Sequence, residues 1–388
     1  MPISDRPAIA SSDWAAGHIA LVLHDFSIGG SERIAIRLAN LWAAAGRKVT
    51  ILCGTETGPA RARVDPAVIV RAVTPAVTRG RFSRIRLGRA LAAAVTDVAP
   101  DVVVGPGNFH VPVLRAMLSA LSRAAPVRAV LSRAAPAVVC KISNPIRRPQ
   151  RMPLGQAIFG LNFGRGTRRF DGLVAMSSVL ADEARHYVGG RDVVCIAEPI
   201  LADDWTPPPP RARSGTIVCA GRLTAQKDFA LALRAFALLG GDWRLVILGD
   251  GELRATLEDA ARSLGVAERV EFLGHVPDIG PWLAQADVLL CSSRYEGYPA
   301  VLIEALAAGV PVVTTPCSPS LDEIMRHPSF GVVAAAEPGQ LAGALRTVLA
   351  GPQPDGAALA DLMNKHRAGP SANAWLSLLD RVVAEKRH

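Results

Sequence analysis

The sequence predicts an α/β protein of two doubly wound, Rossmann-like parallel-sheet domains that face each other across a cleft. Three observations lead to this fold class. Short apolar runs of strand length alternate with longer helical runs through most of the 388 residues. Four consecutive prolines, Pro207–Pro210, interrupt this alternation and form a stiff connector. After the connector the alternation starts again, which indicates a second domain of the same kind.

The first half contains the elements of an N-terminal domain, residues 18–202, after a disordered lead-in at residues 1–17. The lead-in has no continuous apolar core that could serve as a secretory signal. Fully apolar runs of strand length are typical of a buried parallel sheet. The predicted strands are His18–His24, Val49–Cys53, Val68–Val73, Asp101–Val104, Val127–Leu131, Gly172–Met176 and Val193–Ile196, with helices that end at Ala45 or cover Phe82–Val98 and Val111–Arg123.

The second half comprises a proline-rich linker at 203–214, a C-terminal domain at 215–370 and a final helical segment at 371–388. Here too strands and helices alternate, as the βαβ units of a parallel sheet do. The predicted strands are Thr216–Ala220, Trp243–Gly249, Val270–Leu273, Asp287–Cys291, Pro311–Thr314 and Gly331–Val333, and the predicted helices are Phe229–Leu239, Glu252–Leu264, Pro299–Ala308, Gln340–Leu349 and Ala372–Lys386.

Composition excludes several classes of protein. Half of the residues are hydrophobic, which is typical of a globular chain, and no apolar stretch is long enough for a transmembrane helix. The six cysteines are scattered without a C-x-x-C pair, so we expect a reducing cytoplasm and neither disulfides nor metal ligation. The net charge of +9 favours anionic partners, but a chain with three tyrosines has no basic-aromatic array for nucleic acid.

The stretch Ser293–Thr315 carries the densest chemical pattern. Its predicted helix, Pro299–Ala308, is apolar almost all round and should be buried, so Glu304 in its middle needs a partner. A second carboxylate, Glu296, lies in the loop before the helix N-terminus, where free N–H groups favour an anion. The two carboxylates and this helix end would bind the hydroxyls and phosphates of a sugar nucleotide. The alternative is a structural ion pair with a neighbouring arginine.

Two other loops follow predicted strands. Gly221, Arg222 and then Lys227 come after the first strand of the second domain, and the two cations could match a diphosphate without a metal. The alternative is that both are solvated surface cations. In the first domain, Gly29 and Gly30 lie between a strand and a helix start, where phosphate-binding loops form. A tight turn that needs glycine for geometry alone would have the same pattern.

These motifs resemble those of the retaining glycosyltransferases of the GT4 type, glycosyltransferase group 1, and most of all the members that assemble polysaccharides. Glu296 and Glu304 match the two ends of the family's E-x7-E signature inside S-x-x-E-G-x-P-x-V-x-x-E-A-L-A-x-G-x-P-V-V. The segments G-R-L-T-A-Q-K-D-F, F-L-G-x-V and G-G-x-E-R match as well. The resemblance implies the GT-B fold, a first domain on the acceptor side, and a final helix that crosses back to that domain.

The resemblance also implies the roles of individual residues. Arg222 and Lys227 would bind the diphosphate, and Glu304 the ribose hydroxyls. The main chain at His275 and Val276 would contact the base. The implied donor-binding residues are Gly29, Gly30, Gly221, Arg222, Lys227, Gly251, His275, Val276, Glu296, Gly297, Tyr298, Pro299, Ala300 and Glu304, and the implied catalytic residues are Glu296, Arg222, Lys227, His110 and Arg133.

The first domain departs from the family pattern at several positions. Many relatives carry a histidine after the fifth strand, where this chain has Ser132 and Arg133. A subgroup that acts on undecaprenyl-linked acceptors has S-E-R-N there and an asparagine in the preceding loop, which Ser132, Arg133 and Asn108 match in part. His110 could replace the missing histidine as a sugar contact, and the alternative is a solvated loop residue. Glu198 stands where the family commonly has asparagine at the hinge.

The segment 141–170 mixes arginines with large apolar residues. This mixture is typical of a segment that lies at the surface of an anionic membrane. A core-facing helix with a solvated basic side would have the same composition. The first interpretation places the protein at the inner face of the plasma membrane.

We therefore expect a cytoplasmic, retaining glycosyltransferase that uses a UDP- or GDP-sugar, needs no cofactor or metal, and acts on a lipid-linked or polysaccharide precursor of a cell-surface glycan. Two other functions remain compatible with the sequence. One is a GT-B sugar-nucleotide epimerase, which would consume donor without an acceptor. The other is a two-lobed sugar- or nucleotide-binding protein, which would release no nucleoside diphosphate.

Overall fold

The computed structural model describes residues 14–27, 29–128, 135–147 and 152–388. The chain folds into two compact units. The first, unit 1, consists of the residues up to Pro199 together with Ala368–His388, and the second, unit 2, consists of Ile200–Arg367. The chain thus leaves unit 1, builds unit 2, and returns to unit 1 with its last helix.

The elements alternate in both units. In unit 1 the elements before the crossing are β1 (His18–Leu23), α1 (Gly30–Ala44), β2 (Lys48–Cys53), β3 (Ile69–Ala72), α2 (Ser83–Val98), β4 (Val102–Gly105), α3 (Val111–Arg128), β5 (Ala137–Ile142), α4 (Pro153–Thr167), β6 (Gly172–Ala175), α5 (Ser178–Tyr187) and β7 (Val194–Cys195). In unit 2 they are β8 (Thr216–Ala220), α6 (Phe229–Leu239), β9 (Arg244–Leu248), α7 (Arg254–Ser263), β10 (Val270–Gly274), α8 (Gly280–Leu283), β11 (Val288–Cys291), α9 (Ala300–Ala307), β12 (Val312–Thr314), α10 (Leu321–Ile324), β13 (Gly331–Val333), α11 (Pro338–Ala350) and α12 (Gly356–Asn364). The final helix, α13 (Ala368–Arg387), returns to unit 1.

Unit 1 has a sheet of seven strands in the order β3-β2-β1-β4-β5-β6-β7. Each pair of neighbours is parallel. The residues of β4 and β5 are all buried, which explains why these strands are continuous apolar runs. The order reverses at β1, so the loops after β1 and β4 lie on either side of the switch point, where ligands of doubly wound sheets bind.

The final helix completes the core of unit 1. Trp375 of α13 is buried against Trp42 of α1, with the ring centroids 5.8 Å apart. Asp380 of α13 accepts two hydrogen bonds from the guanidinium of Arg47, at 2.7 and 2.8 Å. Burial of two tryptophans contributes strongly to a core, because each has a large apolar surface.

The first described residues are an ordered part of unit 1. Arg47 stacks over the ring of Trp14 at 4.2 Å, and the Ala16 N–H donates to Asp380. The predicted disordered lead-in is therefore wrong for residues 14–17, because Trp14 provides a packing partner that its position near a terminus did not suggest. The rest of that prediction, residues 1–13, lies outside the described residues.

Unit 2 has a six-stranded sheet in the order β10-β9-β8-β11-β12-β13, again with parallel neighbours. Apolar residues of β8, β9 and β11 pack with α6 and α11 into one core. The six predicted strands of this half are confirmed within one or two residues at each end. Their carboxyl ends share one edge of the sheet, and the loops that the sequence analysis selected emerge there.

The proline-rich segment 203–214 contains no helix or strand, as expected, but it packs against unit 2 along its length. The Trp205 indole donates to the carbonyl of Ala307 at 3.0 Å. Arg211 donates to the carbonyls of Ala308, at 2.9 Å, and of Leu283, at 3.1 Å. The segment is therefore fixed to the C-terminal ends of α8 and α9 and is not a free spacer.

One predicted strand is wrong. Val127 and Arg128 belong to the end of α3, and the strand that follows is Ala137–Ile142. The rest of the predicted strand Val127–Leu131 lies outside the described residues. Both segments are short apolar runs, and periodicity alone does not distinguish a strand from a helix end over so few residues.

Candidate functional site

The loop after β8 places Lys227 over a glycine. Gly221 has φ of +150°, and a Cβ built there would lie 3.0 Å from Cε of Lys227 and 3.3 Å from its Cδ. Gly249, directly after β9, comes closer still to this loop, since its Cβ would lie 1.9 Å from the Gly221 carbonyl oxygen. Backbone conformation therefore requires glycine at both positions, and at Gly249 space requires it as well.

The Lys227 ammonium lies 2.7 Å from Oε1 of Glu296. Both side chains are largely buried, with 20% and 12% of their surfaces exposed. Burial opposes the charged ammonium, but the negative charge of Glu296 outweighs burial and raises the pKa of Lys227. The two residues that the sequence assigned to the diphosphate and to the sugar thus meet as an ion pair in this structure.

Hydrogen bonds to main-chain carbonyls join the Lys227 loop to the Glu296 loop. Ser292 donates its hydroxyl to the Lys227 carbonyl at 2.9 Å, and the Arg294 N–H donates to the Gln226 carbonyl at 2.8 Å. The Arg294 guanidinium also pairs with Asp228 at 2.8 Å, and Asp228 caps the N-terminus of α6. These contacts fix the position of the ion pair relative to the sheet edge.

The helix α9 leaves one narrow strip accessible. Leu302, Ile303, Ala305 and Leu306 are fully buried, whereas Val301, Glu304 and Ala308 are half-buried. These three residues are spaced three and four apart and so share one face. The sequence predicted Glu304 inside a buried helix; the structure corrects this and places it on the accessible strip of a two-turn helix.

The segment before α9 offers backbone more than side chains. Pro299 is the N-cap of α9 and has no side-chain acceptor for the first-turn N–H groups. Tyr298 is buried and its hydroxyl lies 2.9 Å from Nε2 of His366, so its ring belongs to the packing of unit 2. The Gly297 carbonyl accepts a 2.5 Å hydrogen bond from Ser318. The Tyr298 ring and the Gly297 carbonyl are therefore engaged within unit 2, and the approach of the main chain from Gly297 to Ala300 to phosphate and sugar stays a prediction.

The remaining donor-binding candidates of unit 2 lie on neighbouring loops of the same edge. Arg222 is exposed directly after Gly221, and His275 is exposed directly after β10. Val276, next to His275, is half-buried. Gly251 packs on the Arg222 loop, because a Cβ there would lie 2.5 Å from the Leu223 carbonyl oxygen. All of these candidates are therefore brought to one end of the sheet.

The sequence analysis missed two cysteines of this site. Cys291 ends β11, and its thiol donates to the Ser293 hydroxyl at 3.6 Å and lies beside the thiol of Cys317. The neighbouring Cys317 thiol, with the positive charge of Lys227, outweighs burial and lowers the pKa of Cys291, while the Cys291 thiol and burial raise the pKa of Cys317. Scattered cysteines in strand-like runs gave no signal of this pairing, because the two strands meet only in the folded sheet.

In unit 1 the glycine turn carries a charged network. Gly29 is the N-cap of α1, and a Cβ there would lie 2.3 Å from a carboxylate oxygen of Glu32. Arg79 donates to Glu32 at 3.0 Å and to both oxygens of Asp25, at 2.5 and 3.0 Å. Burial raises the pKa of Asp25, but hydrogen bonds from Arg79 and Ser27 outweigh it and hold the pKa at about 2.

Gly30 lies in open space at the start of α1, where a Cβ would have no neighbouring atom within 4 Å. A side chain would therefore be accommodated there without a clash. At Gly29, by contrast, a side chain would require the Glu32 carboxylate to move away from its position over the backbone.

His110 lies in the loop after β4 and is buried, with 6% of its surface exposed. Neither ring nitrogen has a hydrogen-bond partner among the described residues, and the same holds for His24 at the end of β1. The ring of Phe109 packs against both, with centroids 6.0 Å from His24 and 5.4 Å from His110. Burial lowers the pKa of His110 to about 3, so this histidine is neutral and is not the solvated loop residue that was the alternative.

Asn108 organises the loop that follows β5. Its Oδ1 accepts from the N–H groups of Ser143, at 2.6 Å, and Asn144, at 3.1 Å, and its amide donates to the Asn144 carbonyl. The residues that follow the fifth strand are therefore Ser143 and Asn144, and the earlier placement of Ser132 and Arg133 there is wrong because the strand itself was misplaced. Arg133 lies outside the described residues.

Glu198 forms a buried ion pair with Lys141 of β5, with Nζ and Oε1 2.6 Å apart. Lys141 is 2% exposed and Glu198 is 7% exposed. A carboxylate at the position where the related family has asparagine is thus matched by a cation on β5. Removal of either partner would leave an uncompensated buried charge.

No group of three or more metal-ligating side chains comes together within the described residues. In the same part of the chain, no helix is long and apolar enough to cross a membrane.

Solved glycosyltransferase structures superpose on nearly the whole chain. The apo form of the lipopolysaccharide outer core galactosyltransferase WaaB has a TM-score of 0.64 and 16% identity, covering 95% of this chain and 99% of that one. Anabaena HepE in complex with UDP-glucose has a TM-score of 0.67 and 18% identity, and the match covers 95% of this chain and 99% of that one. At such low identity the likeness shows the fold, and with the two parallel-sheet units it makes this chain a GT-B protein.

Two family models match the sequence: Glycosyltransferase Family 4 over residues 28–200 and Glycosyl transferases group 1 over residues 214–351. Together these matches take in most of the chain, which belongs to the GT4-type glycosyltransferases of group 1.

Curated relatives match over shorter segments. The Vi polysaccharide biosynthesis protein VipC/TviE of Salmonella typhi is 48% identical over 79 residues, which are 20% of this chain and 14% of the relative. The lipopolysaccharide core biosynthesis glycosyltransferase LpsE of Rhizobium meliloti is 40% identical over 104 residues, 27% and 30% of the two chains. The chain thus spans less than a third of the length of these relatives.

Proposed function

We propose that this protein is a retaining glycosyltransferase that moves a sugar from a UDP- or GDP-sugar to a hydroxyl of a lipid-linked or polysaccharide precursor in cell-surface glycan assembly. The observation that carries the proposal is the Lys227–Glu296 pair beside the N-terminus of α9. A cation, a carboxylate and oriented N–H groups together match a substrate that carries both phosphates and sugar hydroxyls.

The donor would lie along the edge of unit 2. Lys227 and the exposed Arg222 would neutralise the diphosphate, and Glu304 on the accessible strip of α9 would accept hydrogen bonds from the ribose. The raised pKa of Lys227 keeps it charged at neutral pH, as a phosphate ligand must be. HepE was solved with UDP-glucose, which supports a nucleotide sugar as the kind of donor.

In the reaction, the bond between the anomeric carbon and the β-phosphate oxygen breaks. The anomeric carbon bonds to the acceptor oxygen on the same face, and the acceptor proton passes to the departing phosphate oxygen. Negative charge develops on the diphosphate as it leaves, so Lys227 and Arg222 would stabilise the transition state more than the bound donor. Glu296 would hold Lys227 in place and contact the transferred sugar.

The acceptor proposal draws on relatives. A Campylobacter jejuni N-acetylgalactosaminyltransferase, named for its diphospho-undecaprenol substrate, is 34% identical over 121 residues, 31% of this chain and 33% of that one. In unit 1, the neutral His110 beside His24 and the Asn108-held loop would contact the acceptor or the transferred sugar.

The test is a donor panel followed by an acceptor assay. We expect one UDP- or GDP-sugar to raise the melting temperature, because a ligand at a hundred times its Kd adds about 2.7 kcal/mol to the free energy of unfolding. With that donor and undecaprenyl-linked saccharide, we expect release of nucleoside diphosphate and an α-linked product by NMR from an α-configured donor.

Three other outcomes would overturn parts of the proposal. Binding without release of nucleoside diphosphate would indicate a binding protein. Conversion of the donor with no acceptor present would indicate an epimerase. A product of inverted configuration would contradict retention.

A further inference from the structure

The helix α4 of unit 1 exposes large apolar side chains. Leu154, Ile158 and Leu161 are 74%, 53% and 54% exposed, and Met152, just before the helix, is 78% exposed. The three helical residues are spaced four and three apart, so they form one stripe on one face. An exposed cluster of this kind is unusual for a helix that packs on a sheet, which normally turns such residues inwards.

The same stripe continues into two arginines. Arg165 and Arg168 follow Leu161 at spacings of four and three, and both are exposed. We call the set Met152, Leu154, Ile158, Leu161, Arg165 and Arg168 the α4 outer face. One end of this face is apolar and the other is cationic.

The opposite face of α4 explains why the apolar residues point outwards. A Cβ on Gly160 would lie 2.2 Å from the Tyr187 ring, and a Cβ on Gly164 would lie 2.2 Å from the Tyr187 carbonyl oxygen. Phe163 and Thr167 complete the buried face. The helix therefore packs closely through glycines at Tyr187, and its larger apolar residues Ile158 and Leu161 lie on the outer face.

The charged side chains of the segment that contains α4 have a single sign. The sequence from 141 to 170 contains no aspartate or glutamate. Arg147, before α4, is also exposed. Glu183 of α5, which accepts from the Arg147 N–H, lies at one edge of this segment. An apolar stripe that continues into exposed arginines matches the acyl boundary and the anionic headgroups of a phospholipid bilayer.

We propose that the α4 outer face docks this protein on an anionic bilayer, with Leu154, Ile158 and Leu161 in the acyl boundary and Arg165 and Arg168 at the headgroups. A 15-residue helix is too short to span the bilayer and would lie in its plane. The proposal does not depend on the donor chemistry, so the two can fail separately.

The test is cosedimentation of the full chain with vesicles of phosphatidylcholine alone or with about 30% phosphatidylglycerol. We expect binding to the anionic vesicles at least about tenfold tighter than to the neutral ones, because each arginine near the surface adds electrostatic attraction. The double variant Ile158→Glu/Leu161→Glu should lose at least about tenfold in binding, because it places charge in the acyl boundary. The variant Arg165→Gln/Arg168→Gln should bind anionic vesicles more weakly than the parent does. Its preference for anionic over neutral vesicles should be smaller than that of the parent.

The matched control is Leu238→Glu, which changes an apolar side chain of the same exposure, 54%, on α6 of unit 2. It should bind like the parent, and circular dichroism and donor-induced thermal shift should be unchanged in all variants. Equal binding by the Ile158→Glu/Leu161→Glu variant would overturn the proposal, and so would absence of binding by the parent. A parent dimer that this variant converts to monomer, without any vesicle binding, would overturn it too and assign the face to a second copy of the chain.

Discussion

Glu296 holds the ammonium of Lys227 at 2.7 Å, although the two residues lie on loops that follow different strands of the unit 2 sheet. The pair is largely buried, so its charges are weakly screened by salt. A diphosphate that binds at this edge would compete with Glu296 for the same cation. The strength of donor binding should therefore depend on both partners.

Replacement of Lys227 by alanine should lower turnover by about a hundredfold or more, because one oriented charge that meets the developing phosphate charge is removed. Steady-state release of nucleoside diphosphate measures this. The control is Lys365→Ala, which removes a more exposed lysine of unit 2 that pairs with Glu323 at 3.4 Å. Parental turnover in the Lys227 variant would refute its assignment to the diphosphate.

Replacement of Gly221 by alanine should also impair the donor site. Its φ of +150° is strained for any other residue, and the new Cβ would approach Cε of Lys227 at 3.0 Å. We expect weaker donor binding and a turnover reduced by about tenfold or more, since small displacements of a charged group are costly. Gly339→Ala, at a glycine with open space around it, is the control. If both variants bind donor equally, the glycine does not position the lysine.

Chelation should leave the activity intact. Arg222 and Lys227 supply two positive charges for the diphosphate, which is the role that a divalent cation has in other enzymes. The measurement is turnover in excess EDTA, compared with turnover after Mg²⁺ is added back. Complete inactivation that Mg²⁺ reverses would contradict this expectation.

Stability should fall in acid because of His110. In the folded state burial lowers the pKa of His110 to about 3, below its usual value of 6.5. The positive charges of Arg79 and Lys141 and the neighbouring His24, whose own pKa is lowered by burial, act in the same direction. The unfolded chain takes up a proton first as pH falls, so stability is complete above pH 6.5 and is lost progressively towards pH 3.

Urea unfolding at a series of pH values from neutral to mildly acidic measures this dependence. His110→Gln should flatten the slope of unfolding free energy against pH, whatever its effect at neutral pH. His186→Gln, at an exposed histidine of α5, is the control for the substitution itself. Equal slopes for the parent and the His110 variant would show that this histidine does not titrate with unfolding.

Much of unit 2 could be predicted from the sequence because the signals that define its strands, helices and loops lie within short segments. The run from Ser293 to Thr315 combines a strand end, a loop, a proline-started helix and a glycine stop, and each signal acts within a few residues. The flanking strands and the place of Glu304 on a helix followed from it. What stayed hidden was tertiary: the contact of Cys291 with Cys317 exists only because β11 and β12 are neighbours in the sheet.

Unit 1 was harder for the same reason. The fifth strand was assigned to Val127–Leu131, although the buried run Ala137–Ile142 is of similar length and lies between Pro136 and Asn144. The choice of strand then displaced the residues expected at its end. Lys141 was given no role, since nothing near it in sequence indicates that Glu198 lies against it in the core.

The return of α13 to unit 1 has a consequence for biosynthesis. Trp42 and Arg47 emerge from the ribosome early, but their partners Trp375 and Asp380 are translated only after the whole of unit 2. At ~5–20 residues per second, this delay is roughly a quarter of a minute to a minute. During that interval a hydrophobic groove on the nascent N-terminal part stays open, and it is there that a chaperone would be needed.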